Sequence, residues 1–287
     1  MLNILTFDIE DWVSSSIEII PGGNKVITQK MIEKSREYGY ANTKKILEIL
    51  ERYEQKATFF ILTSFGEKYP SLIREIYNLG HEIGSHLHTH ELVYKMTPKS
   101  FKNELKKSKA ILEDIIGDEV ISFRAPYFSI KPGSEWAFEV MVEVGIRYDS
   151  SIFSIKRKLY GYPGWQNEIT KVETKSGDLW EIPITTWRFW KKFDFPIGGG
   201  GYFRILPYSL VRKRLSKIAK NKPIIVYFHP YEFNPAELQH PVFKGISQNF
   251  KFLQNFGRTK VTLKFQRLLN EFPFTSIKNF MENHGEE

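Results

Sequence analysis

The 287-residue sequence contains no cysteine. That absence excludes a disulfide framework, a thiolate metal site and a cysteine nucleophile. No apolar run approaches the ~18 residues that a membrane span requires. The N-terminal MLNILTFDIEDW has no basic region followed by a long apolar stretch, and acidic residues arrive by position 8. No secretory leader is therefore expected, and the cytoplasm is the expected location. Repeats, low-complexity segments and obvious linkers are missing. Net charge is +8, which suits an acidic polymer or surface, yet no dense basic tract exists. Lysines are interleaved with glutamates along expected helices, as in Glu104 to Lys109, so the charge reads as a solvated face with no nucleic-acid signature.

Aromatic residues are abundant at 15%, with 23 Phe, 14 Tyr and 6 Trp. Most are expected in cores, and a minority in loops suit stacking on sugar rings. The length fits one α/β barrel domain. Short β-rich runs alternate with longer helical stretches, the pattern of a parallel sheet or barrel. Strands are expected at Leu2 to Phe7, Ala57 to Leu62, Glu82 to Ser85, Val120 to Arg124, Leu179 to Ile182 and Ile224 to Phe228. Helices are expected at Ala41 to Tyr53, Pro70 to Leu79, Thr97 to Ile116, Ser134 to Val144, Pro207 to Ala219 and, last, Val261 to Glu271. Thr97 is a good N-cap, Pro98 suits the first turn and Gly117 the stop. Between Ile152 and Lys175 the alternation breaks, and a long functional loop is expected.

The unusual polar residues fall at strand ends. Asp8, Glu10 and Asp11 follow the first strand; His86, His88 and His90 follow the third; Arg124 ends the next; Asp149 follows Ile146 to Tyr148; His229 ends the apolar IIVYF. In parallel α/β folds the carboxyl ends of strands open on one face, where active sites form. His86 and His90 have i, i+4 spacing, and two imidazoles with a carboxylate make an open zinc site. His88, between them, is read as supporting or structural. Three clustered carboxylates repel one another, and a cation resolves the conflict. Arg124 can orient a carboxylate through paired hydrogen bonds, with Asp149 the expected partner. His229 is read as a general acid.

These motifs together resemble the polysaccharide deacetylases of the NodB-homology type, carbohydrate esterase family 4, from residue 1 to about residue 235. TFDIEDW stands in the place of the family's T-F-D-D-G. GHEIGSHLHTH is similar to its G-H-E-I-G-N-H-x-x-x-H, FRAPYF to its R-x-P-Y-F, and YFHP to its L-x-H, with Tyr227 where Leu is usual. YDSSIF resembles the segment that supplies an Asp to hold the Arg. PIGGGGYFRILP resembles the subgroup tied to exopolysaccharide systems. No G-K-[ST] follows the glycines, so they are not a phosphate loop.

The resemblance implies a distorted TIM-like (β/α) barrel with fewer than eight strands, and one catalytic domain over residues 1–287 whose last ~50 residues pack on the barrel. It implies a divalent metal, usually zinc, held by His86, His90 and one carboxylate of the first motif. Asp8 would be the general base, His229 the general acid, the Tyr127 N–H an oxyanion donor, and Arg124 with Asp149 the pair that orients the base. Where the family has two adjacent aspartates, this chain runs Asp8, Ile9, Glu10, Asp11. Strand alternation favours Glu10 as the ligand, and a turn after Ile9 would favour Asp11. Substrate contacts are expected from Tyr127, Phe128, Trp165, Gly200, Tyr202 and Arg204, with the aromatics of Tyr160 to Trp165 and Trp187 to Trp190 suiting a sugar. The implied partner is a polysaccharide or oligosaccharide bearing N-acetylated amino sugars, with no nucleic acid and no membrane span. Two rivals use the same scaffold: an amidohydrolase of a small amide such as a ureide or formamide, and a non-catalytic carbohydrate-binding protein. His240 is read as structural.

Overall fold

The computed structural model describes residues 1–189 and 193–284. Its strands are β1 (Asn3–Ile9), β2 (Thr58–Ile61), β3 (Glu82–Ser85), β4 (Ser122–Phe123), β5 (Tyr148–Asp149), β6 (Thr170–Thr174), β7 (Gly177–Glu181), β8 (Thr186–Phe189), β9 (Phe193–Pro196), β10 (Ile225–Phe228) and β11 (Phe274–Thr275). The main sheet runs β10-β1-β2-β3-β4-β5-β7-β6, with β11 also paired to β1. All its pairings are parallel except the β6–β7 hairpin, and β8 and β9 form a separate antiparallel pair. Between β7 and β10 the chain itself bridges the gap. Thr185 N–H donates to Ile225 O, and Tyr227 N–H donates to Gly198 O. The seven parallel strands β10, β1, β2, β3, β4, β5 and β7 thus curl into the expected distorted barrel, with β6 and β11 added beside them.

β1 is buried along its whole length, as a central parallel strand must be. Leu5, Phe7 and Ile9 pack outward on Ile46, Leu50 and Phe265 of the helical layer. Ile4 belongs to a second cluster with Phe60, Tyr148 and Tyr227. Thr6 and Asp8 share the face of Ile4, so the alternation of one strand carries the site carboxylate inward.

Several boundaries moved. The helix expected from Ala41 starts at Gln29 and runs to Arg52, because Thr28 caps it and accepts a hydrogen bond from Met31 N–H. Gly39 interrupts the apolar pattern there, and the close pass to Phe65 explains it: a Cβ at Gly39 would lie 3.0 Å from that ring. The helix Pro98–Ile116 has the expected Thr97 cap and left-handed Gly117 stop. The stretch from Ile152 to Lys175 is not wholly irregular, since it contains β6. Val261–Glu271 is not the last helix, because Ile277–His284 follows β11. No helix among the described residues is long and apolar enough to cross a membrane.

Candidate active site

The strand ends converge as alternation and parallel pairing require. Glu10, His86 and His90 each offer one ligand atom, and these lie within 4.8 Å of one another. Asp11, the alternative ligand, is turned to another task. It caps the helix Trp12–Ser16, accepting from Ser14 N–H at 3.0 Å and Ser14 Oγ at 2.7 Å, and lies 3.5 Å from Arg36. The helix cap, invisible to strand periodicity, takes Asp11 out of the cluster that Glu10 forms with the histidines.

The donor set fits a divalent cation. His86 Nδ1 is bonded to Arg124 O at 2.7 Å, which leaves Nε2 for a ligand, the arrangement that fixes the ring of a metal-binding histidine. Neither ring nitrogen of His90 is in a hydrogen bond. Glu10 Oε2 and His90 Nε2 are buried and 2.6 Å apart, and neither has a hydrogen-bond partner among the described residues. Such orphaned atoms are costly, and one shared cation satisfies them together. Burial raises the Glu10 carboxyl, but the imidazoles of His90, His86 and His229 outweigh it and hold it at about 2. Burial pushes His86 down to about 4, which keeps its imidazole neutral, as ligation requires. Leu87, Tyr127 and Phe128 all have positive φ, at 62°, 55° and 49°. Non-glycine residues so placed store strain of roughly 1–3 kcal/mol each and cluster at functional sites.

Asp8 sits beside this group. Its Oδ1 accepts from Arg124 Nη1 at 2.7 Å, and its Oδ2 lies 3.7 Å from His229 Nε2. Nε2 of His229 is also 3.6 Å from Glu10, while its Nδ1 is 3.0 Å from Glu232 Oε1. Burial disfavours the His229 cation, but the hydrogen bond to Glu232 and the charges of Glu232, Asp8 and Glu10 raise its pKa overall. The Tyr127 ring packs edge-on against His90 at 4.7 Å. Its backbone N–H has no acceptor among the described residues.

The expected Arg124–Asp149 pair is replaced. Arg124 donates to Thr6 Oγ1, Asp8 Oδ1, Ser150 O and Ser150 Oγ. Asp149 instead accepts from Ser151 Oγ at 2.5 Å and stands opposite Glu181, its register partner on β7. Burial raises both carboxyls, Asp149 to about 6 and Glu181 well above its usual range, and the two neighbouring acids disfavour each other's charge.

The substrate residues are dispersed. Phe128 is buried on Phe153 and Tyr227. Trp165 packs on Phe138 and Tyr162. Gly200 lies so close to the Tyr227 hydroxyl that a Cβ would come within 2.4 Å. Tyr202 Oη accepts from Arg157 Nε at 2.8 Å. Arg204 is corrected to a structural role: it is buried and donates to Gln254 O and Leu253 O. Trp187 lies under the Arg214 guanidinium, and Trp190 lies outside the described residues. His88 Nδ1 meets Thr63 Oγ1 at 3.1 Å, and His240 accepts from Val242 N–H. The sequence reading missed Glu232, Glu181, Ser150 and Tyr231, which stacks on His229 at 4.8 Å. A signal for Glu232 existed: an acid three residues after a strand-end histidine, among apolar neighbours in HPYEF.

Residues 27–148 match the family described as "Polysaccharide deacetylase", and 150–282 match "Domain of unknown function (DUF3473)", the match proper to the exopolysaccharide-associated subgroup. A peptidoglycan-N-acetylglucosamine deacetylase of Bacillus cereus is 36% identical over 98 residues, covering 34% of this chain and 36% of that protein. A peptidoglycan deacetylase of Helicobacter pylori is 25% identical over 142 residues, covering 50% of this chain and 43% of that protein. The chain thus spans less than half the length of these curated relatives. A solved chain from Pseudomonas aeruginosa PAO1, named "probable Polysaccharide deacetylase", superposes with TM-score 0.65 at 12% identity over 99% of this chain and 92% of that one. A solved allantoinase gives 0.62 at 12% identity over 99% and 91%. At such identity these two structures show the fold alone.

Proposed function

Residues 27–148 belong to the polysaccharide deacetylase family, and from that premise we propose that the chain hydrolyses N-linked acetyl groups from amino sugars of a cell-envelope or exopolysaccharide. One observation carries the reading. Three metal-type donors, Glu10, His86 and His90, with ligand atoms within 4.8 Å of one another, adjoin a carboxylate and an imidazole that face each other, Asp8 and His229. The metal would be held by those three donors, and zinc suits two imidazoles and one carboxylate. When bound, such an ion polarises the amide carbonyl and lowers the pKa of water at its open position.

The chain's own residues divide the proton work. Asp8, held by Arg124 through Oδ1, accepts the proton of the attacking water. The Tyr127 N–H donates to the developing oxyanion, an effect of about 3–4 kcal/mol per donor in comparable sites. His229, whose cation the Glu232 carboxylate favours, donates from Nε2 to the departing amine, worth ~10²–10⁴-fold. Arg124, itself held by both oxygens of Ser150, positions the base. We also read the chain as a single catalytic unit, since β11 pairs with β1 and buried Arg258 meets Glu237 behind the His229 loop. Glycan polymers bearing acetylated amino sugars agree with the names of the relatives, and the DUF3473 match supports an exopolysaccharide.

The test is acetate release from a panel of N-acetylated glycans, with chelator and then with zinc restored. Release that stops with chelator and returns with zinc supports the proposal. Undiminished release from metal-free protein would overturn the mechanism, and release only from ureides or formamides would overturn the substrate class.

A further inference from the structure

The positive charge is not evenly spread. Between Phe195 and Asn270 stand thirteen Lys and Arg residues against two acids, Glu232 and Glu237. Both acids are buried. The surface of this segment therefore presents cations without acidic partners, apart from local pairs such as Arg212 with Glu271.

Within that segment lies an unusual helix, Gln248–Asn255, which has no buried residue. A helix on a soluble protein ordinarily turns its apolar stripe to the core. Here Phe252 is 67% exposed and Leu253 64%, with Phe256 just beyond at 51% and Ile205 at 54%. Polar anchors explain how the helix stays attached. Arg204 and Arg258, both buried, donate to Gln254 O, and Arg204 also donates to Leu253 O. Phe250 packs against Trp12 and the last carbonyls are held by the two arginines, while Phe252 and Leu253 are left outward. Ile205, Leu206, Phe252, Phe256 and Lys260 line one groove of ≈ 610 Å³. Lys260 of that lining is exposed and half-buried Lys251 lies beside Phe252, and neither has an ion-pair partner among the described residues.

We infer that this face, Ile205 with Phe252, Leu253 and Phe256 inside a rim of lysines, docks the protein on an anionic membrane surface. Apolar side chains that enter the headgroup boundary, flanked by cations attracted to acidic lipids, are the combination that interfacial binding requires. The alternatives fit less well. A second copy would bring an equally cationic surface against this one. A soluble acidic polymer would use the lysines and leave the phenylalanines in water. The inference concerns a surface outside the proposed active site and stands apart from the assigned reaction.

The experiment is co-sedimentation of the whole chain with vesicles of phosphatidylcholine alone and of phosphatidylcholine with phosphatidylglycerol. Binding is expected on the anionic vesicles, with salt weakening it. Phe252→Ser with Phe256→Ser should lower partitioning at least about tenfold. Lys251→Glu and Lys260→Glu should each lower it about fivefold or more. Circular dichroism and the thermal midpoint should stay unchanged, because the apolar positions are exposed. Three results overturn the inference: no vesicle binding by the wild type; unchanged binding in the double Phe variant with loss only in the Lys variants, which signals attraction to polyanions in general; or a dimer in light scattering that the Phe variant dissolves, which assigns the face to a second copy.

Discussion

Arg124 Nη1 donates to Asp8 Oδ1 at 2.7 Å, and neither side chain reaches solvent appreciably. The same guanidinium takes Thr6 on β1 and both oxygens of Ser150 beyond β5, so three strand ends are tied by one residue. Phe60 lies under it at 4.4 Å. The fork leaves Asp8 Oδ2 free to face His229, so the bond that holds the carboxylate also aims it.

Removing this cation leaves a buried carboxylate unpaired. Arg124→Met is expected to lower stability by about 3–5 kcal/mol and to abolish deacetylation. Arg124→Lys should recover part of the stability and little activity, because a point charge cannot span the fork. Urea unfolding alongside acetate release checks both, and an Arg124→Met protein of full stability would refute the pairing.

The two acids after Asp8 should separate cleanly. Glu10→Gln and His86→Ala are expected to weaken zinc binding by orders of magnitude in equilibrium dialysis. Asp11→Asn should retain zinc and lose up to about 1 kcal/mol of stability, since its carboxylate caps a helix and pairs with Arg36. Loss of zinc in Asp11→Asn alone would reverse the assignment.

His229→Asn should keep zinc and lose turnover by ~10²–10⁴-fold. Glu232→Gln removes the hydrogen-bonded carboxylate that supports the His229 cation. Since the proposed acid must be protonated, the alkaline limb of the rate profile should move to lower pH in Glu232→Gln while KM changes little. A limb that stays in place would assign Glu232 a purely structural role.

His81 supplies a pH test remote from the reaction. It is buried beside Phe59, with Nδ1 unpaired, and burial, reinforced by Lys56, lowers its pKa to about 4. The folded state binds this proton less well than the unfolded state, whose value is near 6.5. Its contribution is therefore complete above pH 6.5 and lost as pH falls toward 4, a change of up to about 3 kcal/mol. His81→Phe should flatten stability over that window, as followed by denaturant unfolding at several pH values. An equal acid loss in both proteins would show that His81 stays neutral or finds a partner.

By itself the sequence determined the order of strands and the chemistry at their ends. An apolar run such as IIVYF must be buried, and strand alternation alone puts Asp8 on the inner face; the helix cap at Thr97 is equally local. What tertiary structure decided were the partners. Whether Glu10 or Asp11 joins the histidines depended on a helix cap that turns Asp11 away. Whether Arg124 meets Asp149 depended on the register of β5 against β7, which hands Asp149 to Glu181, thirty-two residues on. Arg204, expected to contact substrate, is buried and donates to a carbonyl of a helix fifty residues later. Spacing encodes which face a side chain takes, but long-range hydrogen bonds are chosen only once distant segments are packed together.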